Sequence, residues 1–182
     1  AAIGYANSTG LPLELGLVRN HYVGRTFIEP SQQIRDLGVR LKLNPVFSSL
    51  KGKRVVVVDD SVVRGTTCLK IIRMMREAGA KEIHMRISSP PITHSCFYGV
   101  STPTRGQLLA AQKTTKEICS MLEADSLAFL SRSGLASSLK DLEKDRHCYA
   151  CFSGSYPEEI FQTISREPTD EKGPGYCYST KV

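Results

Sequence analysis

Two adjacent carboxylates, Asp59 and Asp60, stand ahead of a short run of small, polar and basic residues: Ser61, Val62, Val63, Arg64, Gly65, Thr66 and Thr67. Each type suits one part of a phosphorylated sugar. Backbone N–H groups from Arg64 to Thr67 would face a phosphate, aided by the positive end of a following helix. The hydroxyls of Ser61, Thr66 and Thr67 can donate further hydrogen bonds. Gly65 permits close backbone approach or a positive φ. The two acids can accept from sugar hydroxyls, directly or through the water shell of Mg²⁺. The run is neither a G-x-x-x-x-G-K-[ST] loop nor a dinucleotide fingerprint. A plain alternative is that the acids merely cap the next helix, but capping alone does not call for the whole pattern.

Two further groups could do chemistry. Cys148 and Cys151 form C-x-x-C, and Cys96 lies far upstream, beside Pro90 and Pro91. By spacing this fits zinc, a redox pair or an iron–sulfur cluster. The polar lead Lys144-Asp-Arg-His fits poorly with a redox pair that opens a helix, and no second C-x-x-C completes a zinc site. Cys68 and Cys119 read as ordinary buried or half-buried thiols, and Cys177 falls in a polar tail. Residues 19–43 hold Arg19, His21, Tyr22, Arg25, Arg35, Arg40 and Lys42, opposed only by Glu29 and Asp36. That stretch is long for a connection, and a basic lid closing over a polyanion would use it; a solvated surface with a helix is the plain alternative. His84, His94 and His147 read as structural, and no Ser-His-Asp triad is present.

The elements that must position these groups alternate between α and β. Val55 to Val58 read as a strand buried on both faces, as in a parallel sheet, with its carboxyl end at Asp59. Leu69, Ile71, Ile72, Met75 and Ala78 follow a helical period over 67–78. Ile83 to Ser88 alternate as the next strand, and Leu127–Leu130 form another. A helix is expected over 1–9, a strand over 13–18, a short helix near 31–37, helical segments within 104–123 and a helix over 134–142. A strand–loop–helix unit of this kind binds ligands at the carboxyl ends of its strands. From about residue 162 the chain is polar and rich in Pro, Gly, Ser and Thr, which predicts disorder.

The 182 residues suffice for one domain with a core, and the net charge is +6. Lys and Arg are scattered and no RNA-binding aromatic motif appears, so the basicity does not call for nucleic acid. No run approaches the ~18 apolar residues of a membrane span.

The stretch from Asp59 to Thr67 resembles the phosphoribosyl pyrophosphate (PRPP) signature of type I phosphoribosyltransferases. Four more stretches narrow the likeness to the glutamine PRPP amidotransferases: Asn20-His-Tyr-Val-Gly-Arg-Thr-Phe-Ile-Glu-Pro30, Ser89-Pro-Pro-Ile92, Cys96-Phe-Tyr-Gly99 and Cys148-Tyr-Ala-Cys-Phe-Ser-Gly154. The resemblance covers residues 1 to about 161. It implies an α/β, doubly wound, mainly parallel sheet with a lid loop. Residues 1–161 would be a partial phosphoribosyltransferase domain with a cluster-binding C-terminal segment, and residues 162–182 a tail.

In such a site Asp59 and Asp60 hold ribose and Mg²⁺. Ser61, Val63, Arg64, Gly65, Thr66 and Thr67 hold the 5′-phosphate side of PRPP, and Arg19, Tyr22 and Arg25 close over the pyrophosphate. The iron–sulfur branch of the family implies Cys96, Cys148 and Cys151 as ligands of a structural [4Fe-4S] cluster. The implied reaction forms 5-phosphoribosylamine, pyrophosphate and glutamate from PRPP, glutamine and water, with ammonia delivered from a glutaminase domain. Family resemblance further implies a homotetramer inhibited by purine nucleotides, in bacterial cytoplasm or plastid stroma.

The opening Ala1-Ala-Ile-Gly-Tyr-Ala has no Met and reads as a helix entered partway, so the chain is expected to be a fragment. The glutaminase domain, the first strand, a Mg²⁺-associated Ser and a fourth cluster cysteine would then lie upstream, leaving the fragment alone inactive. A non-catalytic PRPP-binding regulator and a nucleobase phosphoribosyltransferase are the competing readings. The first lacks a visible DNA-binding module, and the second leaves the C-x-x-C and the Asn20–Pro30 stretch unexplained.

Overall fold

The computed structural model describes residues 1–20, 43–139 and 147–156. The short helix expected near 31–37, the end of that expected over 134–142 and the tail from 162 fall outside them.

Three parallel strands form the main sheet in the order β3 (Arg54–Asp59), β4 (Glu82–Ile87) and β5 (Ser126–Phe129). Val55 pairs with Ile83 and Asp59 with Ile87, and on the other side Met85 pairs with Leu127. Strand β4 alternates as its sequence suggests: Ile83, Met85 and Ile87 are buried, while the residues between them are half-buried. Helix α3 (Thr66–Glu77) follows β3 and buries Cys68, Ile72 and Met75, spaced four and three apart on one face. Helix α5 (Thr115–Met121) precedes β5 and buries Ile118. Its start is fixed by a capping box: the Glu117 N–H donates to Thr114 Oγ1, and the Thr114 N–H donates to the Glu117 carboxylate. Leu50, Ile72, Ile83, Met85, Ile118 and Leu122 make the centre of the core.

The remaining elements form a second layer and connections. Helix α1 (Ala2–Thr9) ends at Gly10, whose φ of 70° supplies the left-handed stop. Strand β1 (Leu17–Arg19) pairs antiparallel with β2 (Leu43–Pro45), and α2 (Phe47–Leu50) leads into β3. A 3₁₀ turn (Arg105–Gln107) and α4 (Leu109–Gln112) precede α5. Helix α6 (Arg132–Ser138) follows β5, and α7 (Ala150–Ser153) carries the second cysteine of the C-x-x-C. Among the described residues no helix is long and apolar enough to cross a membrane.

Three expectations shift. The alternation over 13–18 gives strand only from Leu17, because its partner β2 ends at Pro45, where the chain turns into α2. Leu13 and Leu15 are instead 55% and 76% exposed. The four valines of β3 are half-buried rather than buried on both faces. β3 is an edge strand of the described sheet, and its valines line an open groove of about 340 Å³ with Leu11 to Leu17 and α1. The helix expected over 134–142 starts earlier, at Arg132, because the Ser131 hydroxyl accepts from the Gly134 N–H and caps it.

Candidate functional site

Asp59 is the last residue of β3, and its position is fixed from the neighbouring strand. The N–H and hydroxyl of Ser88, just past β4, both donate to the Asp59 carbonyl, at 2.9 and 3.1 Å. Its carboxylate is half-buried and folded back on the protein. Oδ1 accepts the Asp60 N–H at 2.9 Å, and Oδ2 accepts the Cys68 thiol at 3.7 Å. Burial pushes the Asp59 carboxyl above the usual carboxylate range and the Asp60 charge adds to that. The Asp60 N–H and the Cys68 thiol work the other way. Asp60 differs: it is exposed, and one oxygen accepts the Ser61 hydroxyl at 2.8 Å. The pair thus splits into one acid built into the frame and one presented at the surface.

The loop between strand and helix is anchored from inside. Val62 is buried, and the Val63 carbonyl accepts the Leu109 N–H at 2.9 Å. Gly65 has φ 74°, and a Cβ there would lie 2.8 Å from Leu109 Cδ2 and 3.1 Å from Leu122 Cδ2. Both the backbone conformation and the packing therefore demand glycine. With Val62 and Gly65 turned inward, Arg64, Thr66 and Thr67 are exposed. Arg64 donates to Gln107 Oε1 at 2.7 Å. The 12-residue helix α3 starts at Thr66, so its first N–H groups have no intrahelical acceptor and can face an anion. The arrangement can do what a phosphate–sugar site requires: amides and hydroxyls for a phosphate beside an exposed carboxylate for a diol.

Cys68 is buried beneath this site, and burial together with the Asp59 charge pushes its thiol up to about 12. It stays a thiol at neutral pH. The sequence reads Cys68 as a buried thiol, and it is one. Ser88 and Gln107 are not announced by the sequence, because their partners lie 29 and 43 residues away.

Arg19 is exposed on β1 and, among the described residues, bonds with none of Asp59 to Thr67. Tyr22 and Arg25 lie outside the described residues, as does Cys177.

The three proposed cluster cysteines come from two distant segments that the backbone stitches together. The N–H groups of Thr93 and His94 both donate to the Cys151 carbonyl at 3.0 Å. Gly154, with φ 75°, closes α7 against the His94 ring, which a Cβ would meet at 2.6 Å. The Tyr156 hydroxyl donates to the Ser95 carbonyl, and its ring meets Phe97 edge-on at 5.3 Å. Cys96 donates its N–H to Thr102 Oγ1 and receives the Tyr98 N–H on its sulfur at 3.4 Å.

The thiols share one electrostatic neighbourhood. Burial raises Cys151, and Cys96 and Cys148 raise it further. Burial and the same three cysteines push Tyr156 up to about 12. Even so, among the described residues no three His, Cys, Asp or Glu side chains form a group that could hold a metal ion. Cys148 is exposed and borders an open groove of about 850 Å³, lined also by Tyr98, Arg132 and His147. His84 bonds to Ser126 on the neighbouring strand β5 and to Glu82 on its own strand.

Comparison with known proteins agrees with this geometry. Residues 10–88 match the model of the phosphoribosyl transferase domain, which includes the whole Asp59–Thr67 loop. A chloroplastic amidophosphoribosyltransferase 1 of Arabidopsis thaliana is 60% identical over 159 residues, covering 86% of this chain and 28% of that protein. An amidophosphoribosyltransferase of Bacillus subtilis is 54% identical over 165 residues, covering 89% of this chain and 35% of that protein.

Over most of its length the chain is similar to the amidophosphoribosyltransferases. A solved structure of the B. subtilis glutamine PRPP amidotransferase, complexed with ADP and GMP, superposes with a TM-score of 0.75 at 54% identity. It covers 88% of this chain and 36% of that one. The three parallel strands, with their acid-ended β3, therefore belong to a type I phosphoribosyltransferase fold. The chain spans about a third of the length of these amidophosphoribosyltransferases.

Proposed function

We propose that this chain supplies the PRPP half-site of a glutamine-dependent amidophosphoribosyltransferase of purine biosynthesis. The observation that carries this is the strand-end loop: a surface carboxylate at Asp60 beside the amide-rich start of α3, on a Gly65 turn that admits no side chain. The reaction is a displacement at C1 of the ribose, in which ammonia from glutamine replaces pyrophosphate. Positive charge grows on the ring and negative charge on the leaving group, and both need stabilisation.

Asp60 accepts ribose hydroxyls, and Asp59 holds the adjoining side of the sugar from a fixed frame. The loop amides with Ser61, Thr66 and Thr67 anchor the 5′-phosphate, so remote binding energy orients C1. Arg19, at the end of β1, together with Tyr22 and Arg25 would contact the pyrophosphate on this reading. Ammonia attacks without a strong general base, so the site needs none. The acid pair suits Mg²⁺, which when bound would neutralise the leaving pyrophosphate. Hard oxygen donors are the right class for that ion, and Asp60 is the exposed one.

Cys96, Cys148 and Cys151 offer three sulfur donors that influence one another electrostatically without forming a metal-holding group by themselves, and an amide N–H rests on the Cys96 sulfur. They would hold three corners of a [4Fe-4S] cluster that ties α7 to the 93–103 segment. A fourth ligand comes from elsewhere. The solved relative carries ADP and GMP, so purine nucleotides are proposed as inhibitory ligands, in a homotetramer. Plant relatives at 58% and 60% identity are named chloroplastic, which suits a plastid stroma for a protein of a photosynthetic eukaryote, and cytoplasm suits one from a bacterium.

The complete protein should release pyrophosphate from PRPP only when glutamine or ammonia is supplied. Pyrophosphate release driven instead by a free nucleobase would support a nucleobase transferase. PRPP binding without turnover would support a regulator.

A further inference from the structure

The Asp59 carboxylate is held at both ends. The Asp60 N–H restrains Oδ1 at 2.9 Å, and among the described residues the side chain that donates to Oδ2 is Cys68, at 3.7 Å. Both Ser88 bonds to the carbonyl fix the backbone beneath it. With main chain and Oδ1 fixed, the remaining freedom is a twist of the carboxylate plane about its bond to Cβ, and a donor on Oδ2 is what opposes that twist. Each carboxylate oxygen has a second acceptor direction, so this restraint leaves room for a ribose hydroxyl. Cys68 is 4% exposed and packs in the core with Ile72 and Met75, so water is poorly placed to take over its donor role.

We propose that Cys68 is a positioning residue: its thiol hydrogen bond to Oδ2 sets the plane of the Asp59 carboxylate that faces the ribose. The inference rests on the phosphoribosyl reading of the site and deepens it. A packing role alone would ask only for volume and apolarity at position 68. A positioning role asks for a donor.

Three variants of the complete protein separate the two roles: Cys68→Ser keeps a donor, Cys68→Val puts a slightly larger apolar side chain there without one, and Cys68→Ala keeps neither donor nor volume. Steady-state kinetics with PRPP and thermal melting are measured on each. Cys68→Ser should retain kcat within about twofold. Cys68→Val and Cys68→Ala should lower kcat for PRPP on the order of three- to tenfold, the scale of one ordinary hydrogen bond, as suits a weak thiol donor. KM for glutamine should be unchanged in all three. The loss should follow the donor and not the melting temperature, so Cys68→Ser outperforms Cys68→Val even where it is the less stable.

Adding Cys68→Ala to Asp59→Asn should cost no further activity, because the two act as a unit. A folded Cys68→Val with wild-type kcat, or a multiplicative loss in the double variant, would overturn the positioning role. A wild-type protein that neither binds nor turns over PRPP would instead overturn the phosphoribosyl reading itself, and the positioning role with it.

Discussion

The Asp59–Thr67 loop and the cysteine region are built in opposite ways. The first is one continuous piece of chain. Its parts are ordered by a strand end, a glycine turn and a helix start, and its backing residues Leu109 and Leu122 press on Gly65 from behind. The second is assembled from 93–103 and 147–156, held by two N–H donors on the Cys151 carbonyl, a Tyr156 hydroxyl and a His94–Gly154 contact. A contiguous loop carries its geometry in local conformation. A stitched one depends on the few bonds that join its halves and, on the proposed reading, on the metal cluster that would add to them. Damage should therefore stay local at the first and separate the halves at the second.

The largest effect is expected at Gly65. Gly65→Ala forces a side chain into a positive-φ position and into Leu109, and strain of this kind costs on the order of 1–3 kcal/mol. Turnover with PRPP should fall more than tenfold with a lowered melting temperature, while iron content stays at the wild-type level. Loss of iron in this variant would break the separation of the two regions.

Gly154→Ala should do the reverse. Its Cβ would strike the His94 ring at 2.6 Å, so the cysteine segments part. Iron per chain should drop at least severalfold, with PRPP binding by the freshly prepared protein within about twofold of wild type, well under one kcal/mol of change. A smaller effect on the same seam is expected from Tyr156→Phe, which removes one hydroxyl from the Ser95 carbonyl. It should cost about 1 kcal/mol, read as a modest fall in melting temperature.

The smallest effect concerns the shared frame. Asp125 Oδ2 accepts the Ile83 N–H at 2.6 Å and also pairs with Arg76. The Ile83 N–H, with Arg76 adding to it, holds the Asp125 carboxyl below the usual carboxylate range. A carboxyl lowered in the folded state stabilises above its unfolded pKa of about 3.9, and that contribution is lost as pH falls through the lower folded value. Urea titrations at pH 6 and pH 3 should show Asp125→Asn closing part of the gap to wild type at the acid end. A constant gap at both pH values would remove this role.

These differences also explain what was legible in the sequence. The β3–loop–α3 unit could be read directly, because its apolar run, acid pair, glycine and helical period are adjacent. So could β4 and β5, whose patterns are set by burial on one sheet. Leu13 and Leu15 misled, since alternation gives a strand only where a partner exists, and β2 ends at Pro45, opposite Leu17. The four valines suggested more burial than an edge strand of the described sheet receives. The partners of the site residues were invisible for a different reason. Ser88 on Asp59, Gln107 on Arg64 and His94 against Gly154 are contacts across the fold, and no local pattern announces them. Cys68 lay in plain view, but only three dimensions show its thiol directed at a carboxylate.

On the proposed reading PRPP is held by the Asp59–Thr67 loop and not by the cysteine region. Titration calorimetry of Mg²⁺-PRPP binding to the complete protein, for wild type, Asp60→Asn and Cys148→Ser, separates the two. Asp60→Asn should weaken binding by at least tenfold, roughly 1.4 kcal/mol, while a folded Cys148→Ser should bind as wild type does. Unchanged affinity in Asp60→Asn, or an equal loss in both variants, would contradict it.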